Sequence, residues 1–231
     1  MTPFVLIHGG TFDGRCWDLL VPHLDAPALA VDLPGRGKHP MPSDQVDLQA
    51  CADAVVADIE EAGYDEVVLV GHSMAGITMP GVIGRLGERV RHAAFVACTA
   101  PPDGGTILDT LDPSIRELAA VAPSEPMLPT PEVAALVLGD DLTDEQLQWC
   151  SDRMVPEAVH LVSEPVDLSP LKAPVPRTWV RTLGDRILDP AKQLEFAATV
   201  GDCPVVDFDC GHMCMVGKPE ELATILNPLA R

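Results

Sequence analysis

The chain has 231 residues, enough for one domain with a sizeable core and too few to call for two. Hydrophobic residues make up 47% of it, which excludes global disorder, while an aromatic share of 4% makes the core aliphatic. The formal net charge is −20, from 15 basic and 35 acidic residues; with no basic cluster to offset it, this argues against a nucleic-acid partner.

No run approaches the ~20 consecutive apolar residues that span a bilayer, so no membrane role is expected. The segment Met1-Thr-Pro-Phe-Val-Leu-Ile-His8 has no basic region and no cleavage pattern, and it reads as a first strand rather than a signal peptide. Seven cysteines without a Cys-x-x-Cys pair read as reduced thiols in a cytoplasmic protein.

In chain order, Pro3 to Ile7 is an apolar run of strand length ending at His8-Gly9-Gly10-Thr11. Gly14 to Leu24 is expected as a helix with Trp17, Leu20 and Leu24 on one face, then Ala28 to Leu33 as a strand entering the turn-rich Asp32-Leu-Pro-Gly-Arg-Gly37. Asp47 to Ala62 reads as a long helix stopped by Gly63. Val67 to Val70 is a buried strand, followed by a helix over Met74 to Leu86 with Pro80 as an internal kink and a break near Gly87. His92 to Cys98 is the next strand.

From about 106 to 172 the texture changes to short helical patterns (Pro113–Val121, Pro131–Leu138, Thr143–Cys150, Pro156–Val162) between proline-rich joints. No long buried strand interrupts them, so the stretch reads as a mostly helical insertion lying over the sheet. Arg177 to Leu183 resumes the sheet, a helix runs from Asp189-Pro190 through Val200, Val205 to Phe208 is the last strand, and a helix from Pro219 to about Leu229 closes the chain. Alternating helices and near-continuous apolar strands predict a doubly wound, mostly parallel sheet of about six strands in one domain spanning 1–231. Functional groups in such sheets lie at the carboxyl ends of the strands. Gly9-Gly10, Ser73, Asp185 and His212 all fall there.

Ser73 sits between a strand end and a helix start, in Glu66-Val-Val-Leu-Val-Gly-His-Ser73-Met-Ala-Gly76. A sharp turn there projects the hydroxyl from the sheet and aims helix N-terminal amides at it. Serine needs a base to take its proton, and the base needs a carboxylate to fix its tautomer. The chain order serine, acid, histidine is met by Ser73, Asp185 and His212, with Asp189, beside Pro190, as the competing acid. His8 is expected to be structural, His72, beside the serine, to point its side chain elsewhere on the turn, and Asp207 and Asp209 to be solvated. Cys210 and Cys214 flank His212, but a structural metal site wants matched pairs and no second pair exists; no metal or cofactor is expected.

Val5-Leu-Ile-His-Gly-Gly10, the Gly71-His-Ser73-Met-Ala-Gly76 turn and the late Asp185 and His212 together resemble the α/β-hydrolase superfamily across nearly the whole chain. Trp17 and Asp185-Arg-Ile-Leu-Asp-Pro190 are similar to the branch of small methyl esterases and hydroxynitrile lyases. The resemblance implies a Ser-His-Asp triad, an oxyanion hole from the amides of Met74 and of Gly10 or its neighbour Thr11, and a pocket beneath a cap insertion. Lyases of that branch carry a threonine and a lysine where this chain has Gly9 and Met213, so esterase chemistry is expected over cyanohydrin cleavage. Ser73 excludes the aspartate-nucleophile chemistry of dehalogenases and epoxide hydrolases. Thr11, Met127, Leu128, Trp149, Met154, Met213 and Met215 are the expected lining of an apolar pocket for a small-molecule substrate. A lyase or cyclase on the same site, or a non-catalytic small-molecule receptor, are the competing functions; the sequence carries no signal for oligomeric state.

Overall fold

A computed structural model describes residues 1–111, 128, 130–138, 141–201 and 203–231. Six strands, β1 (Phe4–Ile7), β2 (Ala28–Val31), β3 (Val67–His72), β4 (Val90–Val96), β5 (Arg177–Thr182) and β6 (Val205–Phe208), form one sheet in the order β2-β1-β3-β4-β5-β6. Every pairing is parallel, so all six carboxyl ends face one edge.

Alternate strand residues feed opposite faces. Val5, Ile7, Val67, Leu69, Ala93, Phe95 and Trp179 join one apolar cluster, whereas Phe4, Leu6, Val68, Val70, Ala94, Val96 and Val180 join the other. That period of two, apolar on both sides, is why the strands read as continuous hydrophobic runs. The first cluster is closed by α1 (Leu48–Ala62) and α2 (Ala75–Leu86), the second by Trp17, Leu20 and α8 (Pro219–Leu226).

The expected helix boundaries of α1 and α2 are met within a residue, for local reasons. The Asp47 carboxylate accepts from the Ala50 amide to open α1, and Gly63 ends it in the left-handed conformation at φ 69°. α2 runs through the buried Pro80 to Leu86 and stops at Gly87. The expected helix over Gly14–Leu24 is instead two 3₁₀ turns, Gly14–Trp17 and Val21–His23. Asp13 draws its carboxylate to the Arg15 amide and side chain and Pro22 follows shortly, so the segment folds as tight turns while still burying Trp17 and Leu20. The last expected helix likewise ends at Leu226 and gives way to a 3₁₀ turn, Asn227–Ala230.

Between β4 and β5 the described residues contain no strand. They form α3 (Ile107–Thr110), α4 (Pro131–Leu138), α5 (Asp144–Ser151) and 3₁₀ turns at Val159–Ser163 and Ser169–Lys172. The expected helix at Pro113–Val121 lies outside the described residues. Thr143 opens α5 through a reciprocal capping box with Gln146. Apolar residues of this insertion join the clusters of the sheet: Ala158, Leu161 and Val166 the first, Leu138, Leu142 and Cys150 the second. After β5 come α6 (Pro190–Thr199) and, after β6, α7 (Cys214–Gly217). Among the described residues, no helix is long and apolar enough to cross a membrane.

Candidate active site

Ser73 lies between β3 and α2 with φ 54°, a left-handed backbone that costs a non-glycine residue energy. Thr11 (φ 59°) and Ala97 (φ 44°), beyond the ends of β1 and β4, are the other non-glycine residues with positive φ among those described. Backbone strain is thus gathered at the carboxyl edge of the sheet. Small neighbours make the Ser73 turn possible. A Cβ on Gly9 would lie 2.7 Å from the Ser73 Cβ, and one on Gly71 would run into Met79 and come within 3.2 Å of the Ala75 Cβ. The Ala75 methyl is accommodated because Gly71 leaves it room and it packs into the core.

The side chains of Ser73, His212 and Asp185 are brought into one hydrogen-bonded line. His212 Nε2 is 2.9 Å from Ser73 Oγ, and its Nδ1 is 2.8 Å from Asp185 Oδ2. Asp185 also accepts from the Thr182 hydroxyl at 2.8 Å and from the amides of Ile187 and Leu188 at 2.9 and 2.8 Å. Burial works to raise the Asp185 pKa, but attraction to His212, its hydrogen bond, the Leu188 amide and the Thr182 hydroxyl outweigh it and hold the carboxyl below its ordinary value. Asp189 stands apart: its carboxylate caps α6 through the Ala191 amide at 2.8 Å.

Three supports of this line have no sequence motif. Gln193, fully buried on α6, donates to Thr182 Oγ1 at 3.0 Å and to the Leu188 carbonyl at 2.9 Å, and accepts from the Thr182 amide at 3.2 Å. His72 donates from Nε2 to the His212 carbonyl at 2.9 Å and packs its ring 4.6 Å from that of His212. Burial, then the proximity of His212, lower the His72 pKa to about 3, so it is neutral and acts as a fixed donor. Asp141 of the insertion accepts from the Gly211 amide and from Cys210 Sγ, at 3.2 Å for the sulfur, which ties the His212 loop to the insertion. Cys210 is therefore a donor to a carboxylate, and burial pushes its thiol up to about 12. Among the described residues, no group of three or more His, Cys, Asp or Glu is placed to hold a metal ion.

His8 lies under the loop after β1. Its Nε2 accepts from the Leu33 amide at 3.1 Å and its Nδ1 donates to the Gly9 carbonyl at 2.8 Å. The Thr11 amide is occupied, donating to Glu157 Oε2 at 2.8 Å. The amides of Gly10 and Met74 have no protein acceptor among the described residues and so are free to receive a ligand oxygen. Of the two amides expected as rival first-strand donors, Thr11 is therefore engaged and Gly10 is not, among the described residues.

These groups open onto a cavity of about 310 Å³, at the small end of ligand pockets. Apart from Ser73, His72, His212, Thr11, Thr99 and Glu157, its described walls are apolar, with Phe12, Ile107, Ala134, Leu138, Met154, Val162, Ile187 and Met213 prominent. Of the expected pocket residues, Thr11, Met154 and Met213 line it. Leu128 does not; it is 53% exposed. Trp149 is also outside the lining; it packs against the second cluster and carries the Arg153 guanidinium over its ring at 3.9 Å. Met215 is sunk in the second cluster, and Met127 lies outside the described residues. Asp207, expected to be solvated, forms an exposed ion pair with Arg181 at 2.7 Å.

Residues 4–225 match the family model described as the alpha/beta hydrolase family. A carbendazim hydrolyzing esterase of Nocardioides sp. (strain SG-4G) is 28% identical over 247 residues, covering 99% of this chain and 100% of that protein. The lipase LipV of Mycobacterium tuberculosis is 25% identical over 95% of this chain and 90% of its own. Among solved structures, an extracellular alpha/beta-hydrolase from a Paenibacillus species superposes with a TM-score of 0.88 at 19% identity, covering 100% of both chains. The Arabidopsis methylesterase MES16 does so with a TM-score of 0.78 at 20% identity, over 98% of this chain and 97% of its own.

Proposed function

The chain belongs to the alpha/beta hydrolase family, and from that premise we propose that it is a serine hydrolase of a small, mostly apolar carboxylic ester, thioester or lactone. In this reading His212 Nε2 takes the proton of Ser73 as its oxygen attacks the carbonyl carbon. The oxyanion is held by the Gly10 and Met74 amides, the latter reinforced by the N-terminus of α2. Asp185 stabilises the imidazolium, His212 returns the proton to the leaving alcohol, and an acyl-enzyme remains. Water activated by His212 then releases the acid. Each oxyanion donor is worth about 2.7–4 kcal/mol in such a site.

The observation that carries this reading is the continuous line from Ser73 Oγ through His212 to Asp185, at 2.9 and 2.8 Å, opening into an apolar cavity. Esterases among the relatives support the same bond type. The insertion shares its apolar clusters with the sheet, which favours one catalytic unit over two separate domains. The threonine that cyanohydrin lyases of the resembled branch carry after the first-strand histidine would crowd Ser73 at position 9, which supports the esterase reading over cyanohydrin cleavage.

The test is a panel of p-nitrophenyl esters of graded acyl length, with fluorophosphonate labelling of the same preparations. Wild type is expected to turn over the short and medium esters and to be labelled at one serine. Ser73→Ala should lose label and at least about 10³-fold in kcat. Native turnover by Ser73→Ala would overturn the covalent mechanism.

A further inference from the structure

One buried ion pair is left unused by the reaction. Arg36, in the loop after β2, and Glu157, in the insertion, meet at 2.6 Å with side chains only 4% and 8% exposed. Such a pair is costly to desolvate and is often replaceable by apolar residues without loss of stability. Its placement gives it another role. Glu157 Oε2 accepts the Thr11 amide at 2.8 Å, while Arg36 Nη1 donates to the Phe12 carbonyl at 2.6 Å. The carboxylate is filled by Arg36 Nη2 and by the Ala158 amide at 3.0 Å on its other oxygen. The Val155 amide adds a bond to the Thr11 carbonyl at 2.8 Å. The strained loop that follows Gly10 is thus gripped from two elements at once.

We propose that Arg36 and Glu157 are positioning residues for the oxyanion donor, clamping Thr11 and Phe12 so that, of the amides in this loop, that of Gly10 and not that of Thr11 is left to face the cavity. The proposal rests on the serine-hydrolase reading. Glu157 consumes the competing Thr11 donor and fixes Thr11 in its left-handed conformation (φ 59°). Arg36 neutralises a carboxylate that would otherwise oppose a developing oxyanion: Glu157 Oε2 comes within 3.4 Å of the space a Gly10 Cβ would occupy. Because Glu157 belongs to the insertion, the same clamp makes the donor's geometry depend on how the insertion is seated. Neither residue reaches the reacting atoms, so both act through the loop.

Steady-state kinetics on one activated ester, together with inhibition by a trifluoromethyl ketone that forms an oxyanion adduct, test this on Glu157→Leu, Arg36→Met/Glu157→Leu, Glu157→Gln and Ser73→Ala. The double variant removes both buried charges and guards against misfolding of the single one. Where folded, Glu157→Leu and the double variant should lose about 10²-fold in kcat and a similar factor in inhibitor affinity, with KM within about threefold of wild type. Glu157→Gln, which keeps an oxygen for the Thr11 amide, should recover most of that loss. Wild-type kcat and inhibitor affinity in the folded double variant would overturn the clamp, as would a loss confined to KM or a Gln variant as impaired as Leu. If Ser73→Ala itself retained turnover, the hydrolase reading would have failed rather than the clamp.

Discussion

At the scale of single residues, the two deeply buried histidines beside the site carry a cost that pH reveals. Burial, chiefly, lowers His72 to about 3 and His8 to about 4 from an ordinary value near 6.5. Each is neutral in the fold, while in the unfolded chain it takes up a proton as pH drops below about 6.5. The unfolded state then binds more protons, so stability falls with pH through the window from about 6.5 down to the folded values. The slope is about 1.4 kcal/mol per pH unit for each histidine. Urea unfolding should show wild type weakening from about pH 7 to about pH 5, and the gap between wild type and His72→Gln narrowing by about 2 kcal/mol over the same range. The depressed carboxyl of Asp185 acts in the same sense at lower pH, supplying stability above its unfolded value and losing it as pH falls through its folded value. On sequence, His72 is set aside as base because its side chain points elsewhere on the turn; only the fold shows that its ring donates to the His212 carbonyl.

Among the elements, α2 is the one whose position the site depends on most. It starts at the Ser73 turn and is pressed against the strand end at Thr99, whose amide donates to the Ser73 carbonyl at 3.0 Å. A Cβ on Gly76 would collide with the Thr99 carbonyl, a backbone atom that cannot swing aside. Gly76→Ala should therefore destabilise by about 1–3 kcal/mol in urea titration, despite the better helix propensity of alanine. The strand and helix order was legible because apolar period and breakers coincide at these boundaries, as at Asp47 and Gly63. The Gly14–Leu24 segment misled because its apolar spacing suits a helix, while Asp13 and Pro22 favour tight turns that bury the same side chains. Leu128 and Trp149 misled in another way: apolar character in the insertion does not say which side chain faces inward.

For the whole molecule, a charge of −20 meets a cavity whose described walls contain no lysine or arginine. The one carboxylate there, Glu157, is neutralised by Arg36. A negatively charged ester is repelled at long range and finds no local partner to offset the penalty, whereas a neutral ester feels neither effect. Raising ionic strength from about 0.01 to about 0.15 M, which shortens the screening length to about 8 Å, should lower KM for a hemisuccinate ester and leave a neutral ester of equal size unchanged. An unaltered KM for both would show that the overall field does not reach the site.

The sequence by itself determined the parallel sheet, the edge at which chemistry gathers, and the order Ser73, Asp185, His212, because strand period, turn-forming glycines and residue type are local properties. It could also name Gly10 and Thr11 as rival donors. The tertiary structure alone separates them, through a carboxylate 146 residues away that occupies the Thr11 amide and leaves Gly10 as the proposed donor. It likewise placed Gln193 behind Asp185, His72 behind His212 and Asp141 against the His212 loop. The contacts of Thr11, His72 and Gly211 join residues far apart in the chain and leave no periodicity to read; they exist only once the sheet has brought the loops of its carboxyl edge together.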